Sequence, residues 1–269
     1  MKIVHLVSWQ RERLDWLRNV SLFPVPVADV TALAYVWGTP EYLDREFWRF
    51  ECAYLQTFEM CGKLPAVLVT NDATTTMRAF ADRYGIEIQL EPALIPGNIE
   101  SMSIDCVSRL YERFKTEYVL IIQNDGFPLR PGLEKFVEAG YDFYSAPFCR
   151  NSFLPDLLTR ILRYHPMNGG FSLRSRRCCR IASDYWHRYY ECCYPERLLE
   201  DDFYTRYLPS HHWLTLLKFR PAPSRFAAEF SFDAAFPFDR RRSIPFGFHN
   251  AKAFAELAAA RPEEFSSLA

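Results

Sequence analysis

No stretch of the 269-residue chain approaches the ~20 consecutive apolar residues that a membrane helix needs. At most, peripheral contact with a membrane is left open. Neither sign of charge dominates, since 32 Lys and Arg stand against 33 Asp and Glu for a formal net charge of -1. Such a chain has no global field to draw it to nucleic acid or to an anionic surface, and no nucleic-acid partner is expected. C-x-x-C spacing is missing too: the eight cysteines lie in helix-like stretches or as the doublets Cys178-Cys179 and Cys192-Cys193. That disfavours zinc and makes reduced, buried thiols in a cytoplasmic protein the expectation. Internal repeats and low-complexity linkers are absent. The opening run, MKIVHLVSWQRERLDW, is too short in apolar residues for a signal segment and reads as a first strand.

What is present is a large apolar fraction, 49% hydrophobic and 16% aromatic residues, ample for a sizeable core. The hydrophobic period switches repeatedly between strand and helix. ALAYVWG (32–38) is a short apolar run, after which Leu43, Phe47, Phe50, Tyr54, Phe58 and Cys61 recur at helical spacing up to Gly62. PAVLVTND (65–72) reads as a strand, TTTMRAFADRYG as a helix and IEIQLE as a strand. Asn98 can cap a further helix with the stripe Ile99, Met102, Cys106, Leu110 and Phe114. YVLII (118–122) and YDFYSAP (141–147) follow as strands. This order predicts an α/β fold with a mainly parallel sheet flanked by helices. One domain is expected, with 1–150 as its nucleotide-binding half and 151–269 as an acceptor-side half built onto the same sheet. RPAPSRFAAEF (220–230) reads as a loop.

In parallel sheets ligands bind at the carboxyl ends of the strands. Three predicted strand ends carry polar groups there: Trp37 to Thr39, Asn71-Asp72, and Gln123-Asn124-Asp125. Asp125, before Gly126, can reach a divalent cation on a nucleotide diphosphate, or it can close the strand as an Asx-turn. In Glu200-Asp201-Asp202 a carboxylate can serve as general base to an acceptor hydroxyl, or the triplet can complement a helix dipole. Asn168-Gly169-Gly170 lets backbone approach a ligand, and equally suits a hairpin or a bulge. Arg240, Arg241 and Arg242 suit phosphates or a solvated turn, His249 a metal or a hydrogen bond near the core, and Trp37 a base or core packing.

Taken together and in order, VLIIQNDGF, YDFYSAP, NGGFSLRS, EDDFYTR and PFGFH resemble a bacterial family of glycosyltransferase-like proteins of GT-A fold, catalogued as a domain of unknown function. The resemblance runs from about residue 31 to residue 250. It implies a nucleotide-sugar donor, UDP-linked, and a glycan or lipid-linked glycan acceptor. Asp125 would hold Mn²⁺ or Mg²⁺ on the diphosphate, with His249 approaching from the C-terminal side. Gly169 and Gly170 would line the sugar and acceptor pocket, Asp72 would recognise the base, and Asp201 of the Glu200-Asp201 pair would be the catalytic base. Gln123 departs from the family's D-x-D by replacing the first carboxylate, which lowers the charge available to a metal. A nucleotidyltransferase and a non-catalytic carbohydrate-binding protein are the alternatives. The first usually carries a glycine- and basic-rich phosphate loop near the N-terminus, and none is visible here.

Overall fold

The structure, a computed structural model, describes residues 5–20, 23–26, 28–147, 167–191, 199–208, 219–234, 238 and 243–266. The first described element is a helix, α1 (Leu6–Leu17), so the described part of the opening run, from residue 5, is not the strand that it suggests. Trp9, Arg13, Leu14 and Leu17 recur at helical spacing on its buried face, which packs on the long helix α2 (Pro40–Cys61). Thr39 caps α2 by accepting from the Tyr42 amide, Pro40 sits at its first turn, and Gly62 ends it. All six residues of the predicted α2 stripe are buried.

Around these helices the chain alternates as expected. Strand β1 (Val30–Tyr35) precedes α2, then come β2 (Ala66–Thr70), α3 (Thr75–Tyr84), β3 (Glu87–Leu90), α4 (Ile99–Ser108) and β4 (Tyr118–Ile121). Asn98 caps α4 by accepting from the Glu100 and Ser101 amides. The α4 stripe needs correction: Ile99 is 53% exposed, while Leu110 and Phe114 lie beyond the end of the helix and are buried there. A short helix α5 (Glu134–Ala139) leads to β5 (Phe143–Pro147). The described chain resumes with β6 (Met167–Ser175), α6 (Arg176–Tyr189), a helical turn α7 (Glu200–Asp202) running into a π-turn at Phe203–Tyr207, and α8 (Ser224–Phe230). The predicted loop at 220–230 is thus largely α8, docked through Ser224, Ala227 and Phe230. A small parallel pair, β7 (Ser231–Phe232) and β8 (Gly247–Phe248), and two helices, α9 (Ala251–Ala260) and α10 (Pro262–Ser266), complete the described chain.

The six main strands form one mixed sheet in the order β3-β2-β1-β4-β6-β5. Strands β3, β2, β1 and β4 are parallel, and β6 runs antiparallel between β4 and β5. The chain therefore adopts the expected α/β class, a mainly parallel sheet flanked by helices. Alternate residues of β1 serve opposite layers: Ala32 and Ala34 join the larger core, Leu33 and Tyr35 the smaller one against α4. Five described cysteines are free and buried, and burial pushes the Cys179 thiol up to about 12. Among the described residues no helix is long and apolar enough to cross a membrane.

Candidate active site

One antiparallel strand explains why distant polar residues meet. Ile121 of β4 pairs with Ser172 of β6, so the residues before Ser172 pass beyond the carboxyl end of β4. Asn168, Gly169 and Gly170 consequently lie beside Gln123 at the sheet rim. The β5–β6 register jumps between Ser145/Ser172 and Ala146/Asn168, so both glycines sit in a wide bulge inside β6. Ser172 Oγ donates to the Gly169 carbonyl at 2.9 Å and Ser145 Oγ to that of Phe171 at 3.0 Å, which satisfies backbone that the ladder has left free.

The two glycines face opposite clusters. A Cβ on Gly169 would lie 2.4 Å from Glu200 Oε1 and 3.2 Å from Asp201 Cβ. One on Gly170 would lie 2.2 Å from His249 Nε2 and 2.7 Å from Gln123 Oε1. Neither position has a left-handed backbone, so glycine is needed here for space alone.

On the Gly169 side, Glu200 is buried and Asp201 and Asp202 are half-buried. Arg174 Nη2 donates to the Gly169 carbonyl at 3.3 Å and stands 3.6 Å from Glu200 Oε1. Ser103 Oγ lies 3.5 Å from the other Glu200 oxygen. Removal from water, then repulsion from Glu200, pushes the Asp201 carboxyl up to about 6, although the Asp202 amide donates to it at 2.8 Å. A partly exposed carboxyl whose proton affinity is raised in this way has the chemistry of a general base.

On the Gly170 side, Gln123 and Gly126 exchange backbone hydrogen bonds of 2.8 and 3.2 Å, so Asn124-Asp125 forms a two-residue turn. The Asp125 carboxylate makes no hydrogen bond or ion pair among the described residues. His249 Nε2 lies 3.2 Å from Gln123 Oε1, and its Nδ1 lies 3.4 Å from Asp233 Oδ2. Asp233 also accepts from Asn168 Nδ2 at 3.0 Å, while Asn168 Oδ1 accepts from the Gly170 amide at 3.0 Å. Asp233 thus ties the bulge to His249, a role that nothing in its local sequence signals.

A cleft of about 600 Å³ opens beside the same turn, walled by Trp37, Gly38, Tyr42, Met102, Gln123 and Asn124 among others. Asn71 holds the end of β1 by pairing both its amide atoms with the Gly38 backbone, each at 3.0 Å. Asp72 is exposed just past β2 and is not part of this wall. Arg240, Arg241 and Arg242 lie outside the described residues.

Whether Mn²⁺ or Mg²⁺ suits these residues follows from the donor set. Among the described residues, no group of three His, Cys, Asp and Glu side chains can hold an ion unaided. The carboxylate of Asp125, the amide oxygen of Gln123 and an imidazole oriented by Asp233 are nonetheless the hard oxygen and nitrogen donors that such ions take. They fit an ion whose remaining ligands are phosphate oxygens.

Residues 89–249, more than half of the chain, match the family described as "Protein of unknown function (DUF5672)", and the chain belongs to it. No curated protein matches the sequence. Among solved structures it is similar to the mannosyltransferase Ktr4p from S. cerevisiae, at 10% identity and a TM-score of 0.42 over 68% of each chain. The same enzyme in complex with GDP matches at 8% identity and a TM-score of 0.43, over 77% of this chain and 74% of that one. The mannosyltransferase PcManGT from Pyrobaculum calidifontis, in complex with GDP-Man and Mn²⁺, matches at 12% identity and a TM-score of 0.31, over 65% of this chain and 53% of that one. At these identities and scores they are likenesses only.

Proposed function

We propose that the chain is a glycosyltransferase that moves a sugar from a nucleoside-diphosphate donor to a hydroxyl of a glycan or lipid-linked glycan. The observation that carries this reading is the back-to-back arrangement at Gly169 and Gly170. A proton-accepting carboxyl cluster lies against one glycine, and the Gln123–His249 pair lies against the next. Glycosyl transfer needs both functions within a sugar's width: a stabilised diphosphate leaving group and an acceptor hydroxyl that loses its proton.

In this reading the aromatic cleft at Trp37 and Tyr42 takes the nucleoside, and the turn at Gln123 to Asp125 receives the diphosphate. Asp125 and His249 would hold a Mn²⁺ or Mg²⁺ ion, whose chemistry is to neutralise the leaving diphosphate. Asp201 accepts the proton of the acceptor hydroxyl. Glu200, buried against Arg174 and Ser103, keeps that carboxyl in a low-dielectric, negatively charged setting that raises its proton affinity. The bulge glycines let both clusters close onto one backbone segment, where the sugar would lie between them.

Thermal shift in the presence of Mn²⁺ across a panel of sugar nucleotides tests this. A donor at ~100 times its Kd should stabilise the protein by about 2.7 kcal/mol. Hydrolysis of that same donor, with and without metal, then separates a transferase from a protein that only binds. Absence of any stabilisation across the panel would remove the donor from the account.

A further inference from the structure

The turn that presents Asp125 is held from two ends of the chain, and one of its holders is a buried glutamine in the first helix. Gln10 has no exposed surface. Its Nε2 donates to the Asn124 carbonyl at 2.6 Å, across 114 positions of sequence. Its Oε1 accepts from Arg49 Nε of α2 at 3.3 Å. A carbonyl only accepts and a guanidinium only donates, so the two partners fix which way the Gln10 amide points. On the other side, the Asn250 amide donates to the Asp125 carbonyl at 2.8 Å. Asn250 does so from a left-handed backbone (φ 75), the single non-glycine residue with positive φ among the described residues. Such conformations persist only where the surroundings enforce them. Here the Asn250 side chain also caps α9 by accepting from the Ala253 amide.

Peptide groups are planar, so a residue's freedom lies in the two dihedrals between its flanking planes. For Asp125 both planes are held: the one containing the Asn124 carbonyl by Gln10, the one containing its own carbonyl by Asn250. Trp9, next to Gln10, stacks on Phe127 with ring centroids 5.9 Å apart and packs on Phe254 of α9 at 5.2 Å. The two clamps therefore belong to one packed unit. We infer that Gln10 is a positioning residue, which sets the direction of the Asp125 carboxylate by fixing the Asn124–Asp125 peptide. The inference rests on the reading of Asp125 as the residue that meets the donor's diphosphate, but its structural half can be tested without any ligand.

Gln10→Glu keeps the size and the acceptor facing Arg49 and replaces the donor to Asn124 with an oxygen that repels that carbonyl. Gln10→Ala removes both. In each variant, amide hydrogen exchange should quicken about fivefold at Gln123 and Gly126, the loss of roughly 1 kcal/mol of local hydrogen bonding. Exchange at Leu120 and Val69 in the neighbouring strands should not change. Unchanged exchange at Gln123 and Gly126, or a uniform rise across the sheet, would overturn the inference. Calorimetric affinity for UDP and GDP in Mn²⁺ should weaken at least fivefold in Gln10→Glu. Wild-type affinity in a variant whose turn exchanges faster would also overturn it. If the wild-type protein binds neither nucleotide, the donor reading fails, and the exchange measurement still decides whether Gln10 holds the turn.

Discussion

Arg174 Nη2 stands 3.6 Å from Glu200 Oε1, and the arginine side chain has no exposed surface. Glu200 is the one carboxylate paired with it among the described residues. The rest of the guanidinium meets Ser172 Oγ, Cys106 Sγ and the face of Tyr204. Removing one partner of a buried pair leaves the other charge uncompensated, at a cost of about 3 kcal/mol or more. Glu200→Ala should therefore lower the unfolding free energy by roughly 3 kcal/mol. Asp202→Ala, at a half-buried neighbour without such a pair, should stay within about 1 kcal/mol of wild type. Urea unfolding of both variants reads the difference.

Asp201 carries the pH dependence. Its carboxyl titrates at about 6 in the folded protein against 3.8 ordinarily, chiefly because it is removed from water and then because Glu200 is beside it. The folded state thus binds the proton more tightly than the unfolded chain. The stability contributed by this group is fully present below pH 3.8 and is lost as pH rises through about 6. Replacing the carboxyl by an amide removes that loss, so Asp201→Asn should exceed wild-type stability at pH 8 by on the order of 3 kcal/mol, with the gap closing toward pH 4. Chemical denaturation at several pH values checks the sign.

With Asp201 as the proposed base, the same substitution should abolish transfer while leaving nucleotide affinity nearly intact, since that role meets the acceptor's proton and not the diphosphate. In the wild type, kcat/KM should fall as pH drops through about 6, the value at which this carboxyl takes up its proton. Retention of transfer by Asp201→Asn, with its loss in Asp202→Asn, would move the base by one position.

Gly170→Ala meets His249 Nε2 at 2.2 Å and Gln123 Oε1 at 2.7 Å. The ring is held on its other side by Asp233, so it must leave Gln123 if the new methyl group is to fit. Nucleotide affinity in Mn²⁺ should drop at least tenfold while the affinity in chelator holds. Gly140→Ala, whose added atom lies no nearer than 4.0 Å to its surroundings, serves as the control for a glycine outside the site. Gly140 has a left-handed backbone (φ 67), so the variant should lose roughly 1–2 kcal/mol of stability with binding unchanged.

Much of this architecture can be read from local pattern. The 3.6-residue stripe from Leu43 to Cys61 defines α2 by a buried face, and the apolar runs ending in Asn71 and Gln123 define β2 and β4, which are buried along their whole length. Helix α1 escaped that reading because Gln10 and Arg13 sit on its buried side. Both are polar in sequence, and their partners, Asn124 and Arg49 for Gln10 and Gln56 for Arg13, lie far along the chain. Of the readings open to Asn168-Gly169-Gly170, the structure shows the bulge, set inside β6. Candidate residues at strand ends were legible, since a polar stop after a core strand is a local signal. Asp233, Arg174 and Gln10 were not, since what distinguishes each is a partner on a separate element.

The central claim is that Asp125 holds the divalent ion through which the donor's diphosphate is bound. Gln123 is neutral, so the ion and the nucleotide should bind together, each tightening the other by the same factor. Titration calorimetry of UDP and GDP into wild type and Asp125→Asn, in Mn²⁺ and in chelator, measures this directly. Asp125→Asn should lose at least tenfold in nucleotide affinity in Mn²⁺ and change little in chelator. Equal affinities under all four conditions would contradict it and leave Asp125 with no role beyond closing a turn.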